Sequence, residues 1–400
     1  MIKNVLHTVC KGILIGAIGC ASVNAVQLDA DISYQDKGFT FETSDNRFKM
    51  QIQGRIQPRF ASPADSQPTA PDDYYTYTEN GNEMGINRAR LKINGHAYQP
   101  WLKFQIEHDF VNSTLLTYAI KLEKYDWLKF KTGQWKFEYS RERSISSGGQ
   151  QMLDRSIINR IFTIDRQQGA AIYGNVGGDS AANFSYWLGI GTGNGRSANS
   201  DDGGDPLYYG RLQWNITGSE FGFKASDLKY SDSPKAAMAV SYSTNESAFT
   251  RFSSSGGGQL EGFARGTNNR YKISQYNVDF ALMYRGLGAQ GEYHEKTITI
   301  NASGDPDIDY RGYYIQAGYF GYKAFSWWPK PLEVAIRYAT YEEVGNALDE
   351  EHFENAIAAN WFFDGHRNKL TADVTRFSMD QTDLGSLNET RFRLQWDLSF

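Results

Sequence analysis

The stretch "ETRFRLQWDLSF" (389–400) at the end of the chain alternates strictly between apolar and polar side chains. One face is apolar and is formed by Phe392, Leu394, Trp396, Leu398 and Phe400. The other face is polar and is formed by Arg391, Arg393, Gln395 and Asp397. A period of two is typical of a β-strand whose faces meet different surroundings. The apolar face would pack on a protein core in a soluble sandwich, or face lipid in a membrane barrel.

The same alternation recurs along the chain and predicts sixteen strands. They lie at 48–60, 84–97, 101–111, 115–125, 128–137, 166–177, 182–193, 206–217, 236–247, 275–286, 289–300, 310–321, 331–343, 352–365, 368–380 and 389–400. Links such as "YQPW", "GGDS" and "GHR" are tight turns, and they alternate with much longer links. Short turns at one end and long loops at the other predict an all-β, sixteen-stranded antiparallel transmembrane β-barrel that begins and ends at the short-turn end.

Two links on the short-turn side are longer than this rule expects, at 218–235 and at 322–330. The first of them has room for another short strand pair. Most tryptophans lie beside the turns of this side, where the amphipathic indole suits a membrane interface: Trp101, Trp127, Trp327, Trp328 and Trp361.

The composition favours a barrel over a helical membrane protein. The mean hydropathy is -0.55, and no long apolar run follows residue 25. A barrel has ordinary mean hydropathy because every second residue faces water. Aromatic residues make up 14 % of the chain, with 25 Tyr, 24 Phe and 9 Trp, which suits aromatic girdles at two interfaces.

Residues 1–25 predict a secretory signal peptide, with Lys3 and Lys11 before a short apolar run and small residues before the expected cleavage after Ala25. A lipoprotein-type cleavage that leaves Cys20 lipidated is the alternative. Cleavage after Ala25 removes both cysteines and leaves 26–47 as a periplasmic lead-in to a barrel over 48–400. Two of the 41 basic residues are lost, so 39 stand against 46 acidic ones and the net charge becomes -7, which disfavours nucleic acid as a partner.

Closure of the barrel would make the last strand a neighbour of the first, which is hairpinned to the second. Their inward faces carry seven cations: Arg55, Arg59, Arg88, Arg90, Lys92, Arg391 and Arg393. A positive wall in a narrow lumen concentrates anions, because low-dielectric walls focus the field, and the arginine fork matches phosphate and carboxylate oxygens. The alternative is that these cations only pair with the lumen carboxylates Glu107, Asp109 and Asp397.

The long link from Glu138 to Thr163 is the second candidate site. It contains Arg141, Arg143, Arg155 and Arg160, and Met152, Ile157, Ile161 and Phe162 recur at near-helical spacing. A link with its own apolar stripe is expected to fold against the barrel interior and constrict the pore. The alternative is an external loop that packs on neighbouring loops or on a partner subunit.

Enzymatic motifs are weak. The mature chain has five histidines, and neither a nucleophile elbow nor a zinc-binding HExxH surrounds them. The stretch "GIGTGNGR" (189–196) resembles a nucleotide loop only superficially, because no helical pattern follows it. We therefore predict neither catalytic residues nor a cofactor or metal.

The chain resembles the phosphate-selective porin O and P family of Gram-negative outer membranes. The resemblance is carried by residues 37–60, 86–110 and 128–174 and by the terminal strand, and is most specific where a strand feeds an arginine-rich loop. It implies a homotrimeric porin of sixteen strands with the third loop folded inward and anion-binding cations along the pore. In this sequence, Arg55, Arg59, Arg88 and Arg90 match basic positions of the family, and Arg141, Arg143, Arg155 and Arg160 fall in its constriction loop.

The sequence departs from the family pattern at two places. Glu138 stands where a proline is common, and the fifth loop has Arg251, Arg265, Arg270 and Lys272 in place of a lysine cluster. The resemblance therefore supports a porin more strongly than it supports phosphate specificity.

Together these observations predict an outer-membrane porin with a water-filled diffusion channel that prefers small anions. The expected partners are small anionic solutes, membrane lipid and lipopolysaccharide, two further copies of the chain, and the barrel assembly machinery, which would recognise the terminal Phe400. The alternative is a non-conducting barrel that acts as a surface adhesin or structural protein.

Overall fold

The computed structural model describes residues 30–35, 38–64, 81–198, 204–253, 256–267, 269–301, 304, 306–344, 350–381 and 385–400. The predicted signal peptide and both cysteines lie outside these ranges. Within them, no helix is both long enough and apolar enough to cross a bilayer.

Twenty β-strands make up most of the described chain. The first ten are β1 Ala30–Gln35, β2 Gly38–Thr43, β3 Phe48–Ser62, β4 Glu83–Ala97, β5 Leu102–Asp109, β6 Thr114–Leu122, β7 Lys129–Lys136, β8 Arg166–Val176, β9 Phe184–Gly191 and β10 Leu207–Trp214. The others are β11 Lys235–Ser247, β12 Arg251–Ser253, β13 Gly256–Gly258, β14 Tyr271–Tyr284, β15 Leu287–Ile300, β16 Ile308–Tyr319, β17 Leu332–Val344, β18 Glu351–Asp364, β19 Asn368–Gln381 and β20 Gly385–Ser399. Each of the sixteen predicted segments is a strand.

Sixteen of these strands form a closed antiparallel barrel, as predicted. Each strand from β3 to β11 and from β14 to β20 pairs with its neighbours, and β20 pairs with β3 through Leu394 opposite Phe60. The terminal strand shows why the sequence alternates: Phe392 and Trp396 are 43 % and 47 % exposed on the outside, whereas Arg391 and Arg393 are 0 % and 3 % exposed inside. Closure pairs the first and last strands of this sixteen-stranded sheet with each other.

Residues of the predicted lead-in (26–47) form a β-hairpin. β1 and β2 pair antiparallel, and β2 continues onto β3 with Phe39 opposite Ile52. The terminal strand reaches β3 only as far as Arg55, which lies opposite Ser399. The hairpin therefore pairs the part of β3 that lies beyond the end of β20.

The links differ at the two ends of the barrel. At the end where β20 stops, the links 98–101, 123–128, 177–183, 285–286 and 365–367 are short, whereas 215–234 and 320–331 are longer. The 215–234 link contains no strand pair, although its length left room for one. It folds inward, where Phe221 packs with Ala237, Ala281 and Met283 of the wall.

The third loop (residues 137–165), between β7 and β8, crosses the barrel interior. It contains two short helices, α1 Arg141–Ser144 and α2 Ile158–Phe162. Lys296 of β15 donates to the Ile161 carbonyl at 3.0 Å, and Asn360 of β18 donates to the Gln151 carbonyl at 2.8 Å. The α2 helix packs beneath the β12–β13 hairpin in one apolar cluster with Phe252 and Leu260. The loop is thus anchored to the wall opposite its own strands.

Candidate functional site

The inward faces of β20, β3 and β4 form one basic wall. Arg55 lies directly opposite Arg90 in the β3–β4 pair, and Arg59 lies opposite Gln395 in the β3–β20 pair. Alternate residues of neighbouring strands share a face. The structure therefore brings together the cations predicted on these three strands: Arg55, Arg59, Arg88, Arg90, Lys92, Arg391 and Arg393.

A cavity of about 540 Å³ lies between this wall, β5, β8 and the third loop. Eight cations and one carboxylate line it: Arg55, Arg88, Arg90, Lys92, Lys136, Arg143, Arg155, Arg166 and Glu107. The other described lining residues are Gly54 and polar side chains, namely Gln53, Gln105, Ser144, Ser146, Ser147 and Ser399. The lining therefore offers many hydrogen-bond donors and a large excess of positive charge to a solute.

Six of the eleven predicted site residues line this cavity: Arg55, Arg88, Arg90, Lys92, Arg143 and Arg155. The other five do not line it: Arg59, Arg141, Arg160, Arg391 and Arg393.

Asp154 of the third loop gathers three arginines of the basic wall. Its carboxylate lies 2.7 Å from Arg59, 3.4 Å from Arg393 and 3.6 Å from Arg88. Burial opposes ionisation of Asp154, but these guanidinium groups, Arg59 foremost, outweigh it and hold the pKa of that carboxyl well below its usual range. The interaction fixes the third loop against the wall and neutralises part of its charge.

Other cations of the wall are also paired. Arg90 lies 2.8 Å from Asp109 and 3.4 Å from Glu107, as the pairing alternative expects. Arg393 lies 2.9 Å from Asp373, and Arg391 pairs with Glu389. Asp397, the third carboxylate of that alternative, instead accepts hydrogen bonds from Gln57 and Gln395.

Four cations of the cavity have no such partner. In the described part of the chain, no carboxylate oxygen lies within 4.0 Å of the charged nitrogens of Arg55, Lys92, Lys136 or Arg155. Their charge remains available to a solute, whereas a paired cation must first be released from its carboxylate.

Arg55 is held by hydroxyl groups. Its guanidinium donates to Ser399, Ser146 and Ser147, each at 3.3 Å. The first serine belongs to β20 and the other two belong to the third loop. Because hydroxyl oxygens carry no charge, these contacts orient Arg55 without neutralising it.

Lys136 and Arg155 meet at the carboxyl end of α1. Lys136 donates to the Arg143 carbonyl at 2.8 Å, and Arg155 donates to the Ile145 carbonyl at 2.7 Å. Carbonyl groups at a helix end attract cations. Burial, and after it the neighbouring Arg143, lower the pKa of Arg155 well below its ordinary value; an arginine nevertheless stays protonated.

Arg141 and Arg160 belong to the third loop but do not line the cavity. The Arg141 side chain is fully buried and donates to the Gly222 and Lys224 carbonyls, both at 3.0 Å. Arg160 lies on α2, which contacts β12, β15, β16 and β17.

Lys136 and Arg166 were not among the predicted site residues. Lys136 is the last residue of β7 and Arg166 the first of β8, so both stand where the strand gives way to the third loop. Trp135 and Lys136 are adjacent, yet Trp135 joins an inner apolar cluster and Lys136 lines the cavity. A period of two cannot place two neighbours inside. The sequence did contain one indication of their role: these two cations lie immediately before and after an arginine-rich loop.

Comparisons with known proteins agree on the architecture. The family model for phosphate-selective porin O and P matches residues 69–395. No curated protein matches the chain. The fold is similar to the anion-selective porin from Comamonas acidovorans, with a TM-score of 0.54 and 11 % identity over 88 % of this chain and 99 % of that one.

Two further solved structures share the fold. The outer membrane channel DcaP of Acinetobacter baumannii has a TM-score of 0.56 and 11 % identity over 90 % of this chain and 99 % of that one. The trimer form of OmpT from Vibrio cholerae has a TM-score of 0.51 and 12 % identity over 88 % of this chain and 99 % of that one. At such identities the likeness shows the fold alone.

The family match covers most of the chain, and the closed sixteen-stranded barrel agrees with it. The protein is a multi-pass β-barrel of the outer membrane and a porin channel. The chain belongs to the phosphate-selective porin O and P family.

Proposed function

We propose that the channel prefers anions and that they diffuse down their gradient along the basic wall. One observation carries the proposal: Arg55, Lys92, Lys136 and Arg155 face one cavity and have no carboxylate within 4.0 Å in the described chain. Unpaired cations in a narrow lumen attract anions and repel cations, because the low-dielectric wall focuses their field.

The third loop is the proposed constriction. Its predicted extent is 138–163, and Arg143 and Arg155 of this stretch line the cavity opposite Arg55 of the barrel wall. Arginine and serine donors on both sides suit oxyanions such as phosphate or carboxylates, since the guanidinium fork can bind two oxygens at once.

The proposed partners follow from the outer surface and the family. Apolar and aromatic side chains, for example Leu188 and Trp396, are half exposed around the barrel and would contact lipid and lipopolysaccharide. We expect a homotrimer, as the family implies; the OmpT structure named above is a trimer form. Phe400 closes the seam against Gly54 and is the residue through which the assembly machinery would recognise the chain.

Planar bilayers test the proposal. We expect discrete conductance steps in potassium chloride, an anion-favouring reversal potential, and a chloride current that falls when inorganic phosphate is added. Cation preference in the open channel would overturn the proposal. Silence in every salt would support the alternative, a barrel that serves as an adhesin or structural protein. A phosphate-insensitive but anion-selective current would leave the channel an anion porin without phosphate preference.

A further inference from the structure

The two sides of the lumen carry opposite charge. The cavity wall has eight cations and one carboxylate. Further round the barrel, from β14 to β19, the buried acidic and basic residues are three cations, Lys296, Arg337 and Lys369, and five carboxylates, Asp279, Glu292, Glu333, Glu354 and Asp373. The two surfaces adjoin where Asp373 of β19 pairs with Arg393 of β20. We call this second surface the acidic wall. Cations attracted to its carboxylates would oppose anion selectivity.

The third loop covers the acidic wall with hydrogen-bond donors. Gln151 donates to Glu333 at 3.0 Å, the Ile157 amide donates to Glu354 at 2.8 Å, and the Leu153 amide donates to Asp373 at 3.4 Å. The Glu142 amide donates to Glu292. Four of the five carboxylates therefore accept a hydrogen bond from the third loop and do not face open lumen.

The 215–234 link reaches the same wall from the opposite mouth. Its Ser226 hydroxyl donates to Glu333 at 3.0 Å, so this carboxylate receives donors from both inward segments. Phe221, Ala225, Ser226 and Asp227 of the link are all buried. The link thus extends the cover to the short-turn end of the barrel.

Arg141 joins the two inward segments. From α1 of the third loop, its guanidinium donates to the Gly222 and Lys224 carbonyls of the link, both at 3.0 Å. The Cζ atom also lies 4.7 Å from the centre of the Phe221 ring. One fully buried cation therefore contributes hydrogen bonds and a cation–π contact to the joint.

We propose that the third loop and the 215–234 link together seal the acidic wall, and that Arg141 is the positioning residue that holds this seal. Anion selectivity then has two sources: the unpaired cations of the cavity and the exclusion of ions from the carboxylates of β14–β19. The proposal rests on the proposed function of an anion-preferring channel.

The Arg141→Ala variant tests the seal in single channels. Loss of the joint should let water and cations reach Glu333, so we expect the conductance to rise by half or more and the anion-to-cation permeability ratio to fall about twofold. A role in stability alone would change the number of channels but leave the conductance and selectivity of each channel unchanged. Unchanged values in Arg141→Ala would therefore overturn the proposal.

Lys224→Ala is the matched control. It removes one cation from the same link, and its exposed side chain takes no part in the joint, which uses only the carbonyl. It should behave as the wild type. An equal loss of selectivity in Lys224→Ala would mean that the net charge of the lumen, and not the seal, determines the anion-to-cation permeability ratio. If Arg141→Ala does not fold, Phe221→Ala can be used instead, because it removes the cation–π contact. It is expected to raise the conductance and to lower the anion-to-cation permeability ratio.

Thiol labelling provides a readout that does not depend on current. Cys10 and Cys20 are the only cysteines of the chain and can be replaced by serine. We expect Ser226→Cys to resist a charged methanethiosulfonate reagent with Arg141 present and to react in the Arg141→Ala background. Equal labelling in both backgrounds would contradict the seal. Failure of the proposed function would show separately, as a wild-type channel without anion preference.

Discussion

The guanidinium of Arg55 lies against the backbone of Gly148 at the tip of the third loop. A Cβ atom added to Gly148 would stand 3.0 Å from the Arg55 Cζ atom. This contact joins the loop to β3, while Gln151 and Ile157 join it to β17 and β18. The third loop therefore reaches both sides of the lumen, and the contact at Gly148 borders the cavity on the side of β3.

Gly148→Val should narrow the passage beside Arg55. The added side chain must either push the guanidinium into the cavity or lift the loop tip, and we expect single-channel conductance to fall to about half with anion selectivity retained. Gly149→Val is the control, since its Cβ atom would have only an ordinary contact of 3.7 Å with Ile145. Equal conductance in the two variants would show that this contact does not limit flow.

Asp154→Asn should raise anion selectivity at a cost in stability. The change releases Arg59, Arg88 and Arg393 from their shared carboxylate, and the lost ion pairs should cost about 1–3 kcal/mol, because the carboxylate is partly exposed. Reversal potentials and thermal unfolding in detergent measure the two effects. Asp126→Asn, at a carboxylate that is 97 % exposed, should change neither. A less anion-selective Asp154→Asn channel would refute the role given to these arginines.

Stability should decrease as the pH rises from about 4.5 to about 7. Burial raises the pKa of Glu142 to about 7; Arg337 opposes the shift and Glu292 adds to it. A group whose pKa is higher in the folded state binds its proton more tightly there. The stabilisation is therefore complete below the ordinary value of 4.5 and is lost as the pH passes through about 7, an effect of up to about 3 kcal/mol.

Melting temperatures of the detergent-solubilised barrel across this pH range measure the effect. The decrease should be absent in Glu142→Gln, because the amide does not titrate. Glu220→Gln, which changes an exposed carboxylate of the 215–234 link, should retain it. A decrease of the same size in Glu142→Gln would assign the titration to another group.

Gly38→Val should destabilise the barrel without altering the channel. A Cβ atom on Gly38 would lie 2.1 Å from the Ile52 carbonyl oxygen, so β2 could no longer pair with β3. We expect a loss of about 1–3 kcal/mol in thermal unfolding and an unchanged conductance. Gly85→Val adds the same side chain where nothing lies within 4 Å, and it should be neutral. Altered selectivity in Gly38→Val would place the hairpin in the ion path.

The barrel was predictable because its wall separates two media along its whole length. In β20, the apolar side chains Phe392 and Trp396 face outward, and the polar side chains Arg391 and Arg393 face the lumen. One alternating pattern therefore predicts both that the segment is a β-strand and which side chains face the lipid or the lumen. The hairpin β1–β2 was missed because its strands are only 6 residues long, although each alternates between apolar and polar side chains.

The partners of the lumen cations could not be predicted. Arg59 and Asp154 are 95 residues apart, and their pairing depends on where the third loop lands. Arg55 and Arg59 look alike in sequence, yet one meets serine hydroxyls and the other a carboxylate. The inward path of the 215–234 link could not be predicted either, because it depends on the contact of Arg141 with Phe221, two residues that are distant in the sequence.

The reversal potential in a potassium chloride gradient tests the central claim most directly, with the wild type, Arg55→Gln, Lys136→Gln and Arg393→Gln compared in the same bilayers. We predict an anion-selective wild type, a clear loss of selectivity in the Arg55 and Lys136 variants, and a smaller loss in Arg393→Gln. Arg393 does not line the cavity, and Asp373, the carboxylate that it leaves unpaired, is buried and still accepts a hydrogen bond from the Leu153 amide. A wild-type channel that prefers cations, or an Arg393 variant that loses as much selectivity as the Arg55 variant, would contradict it.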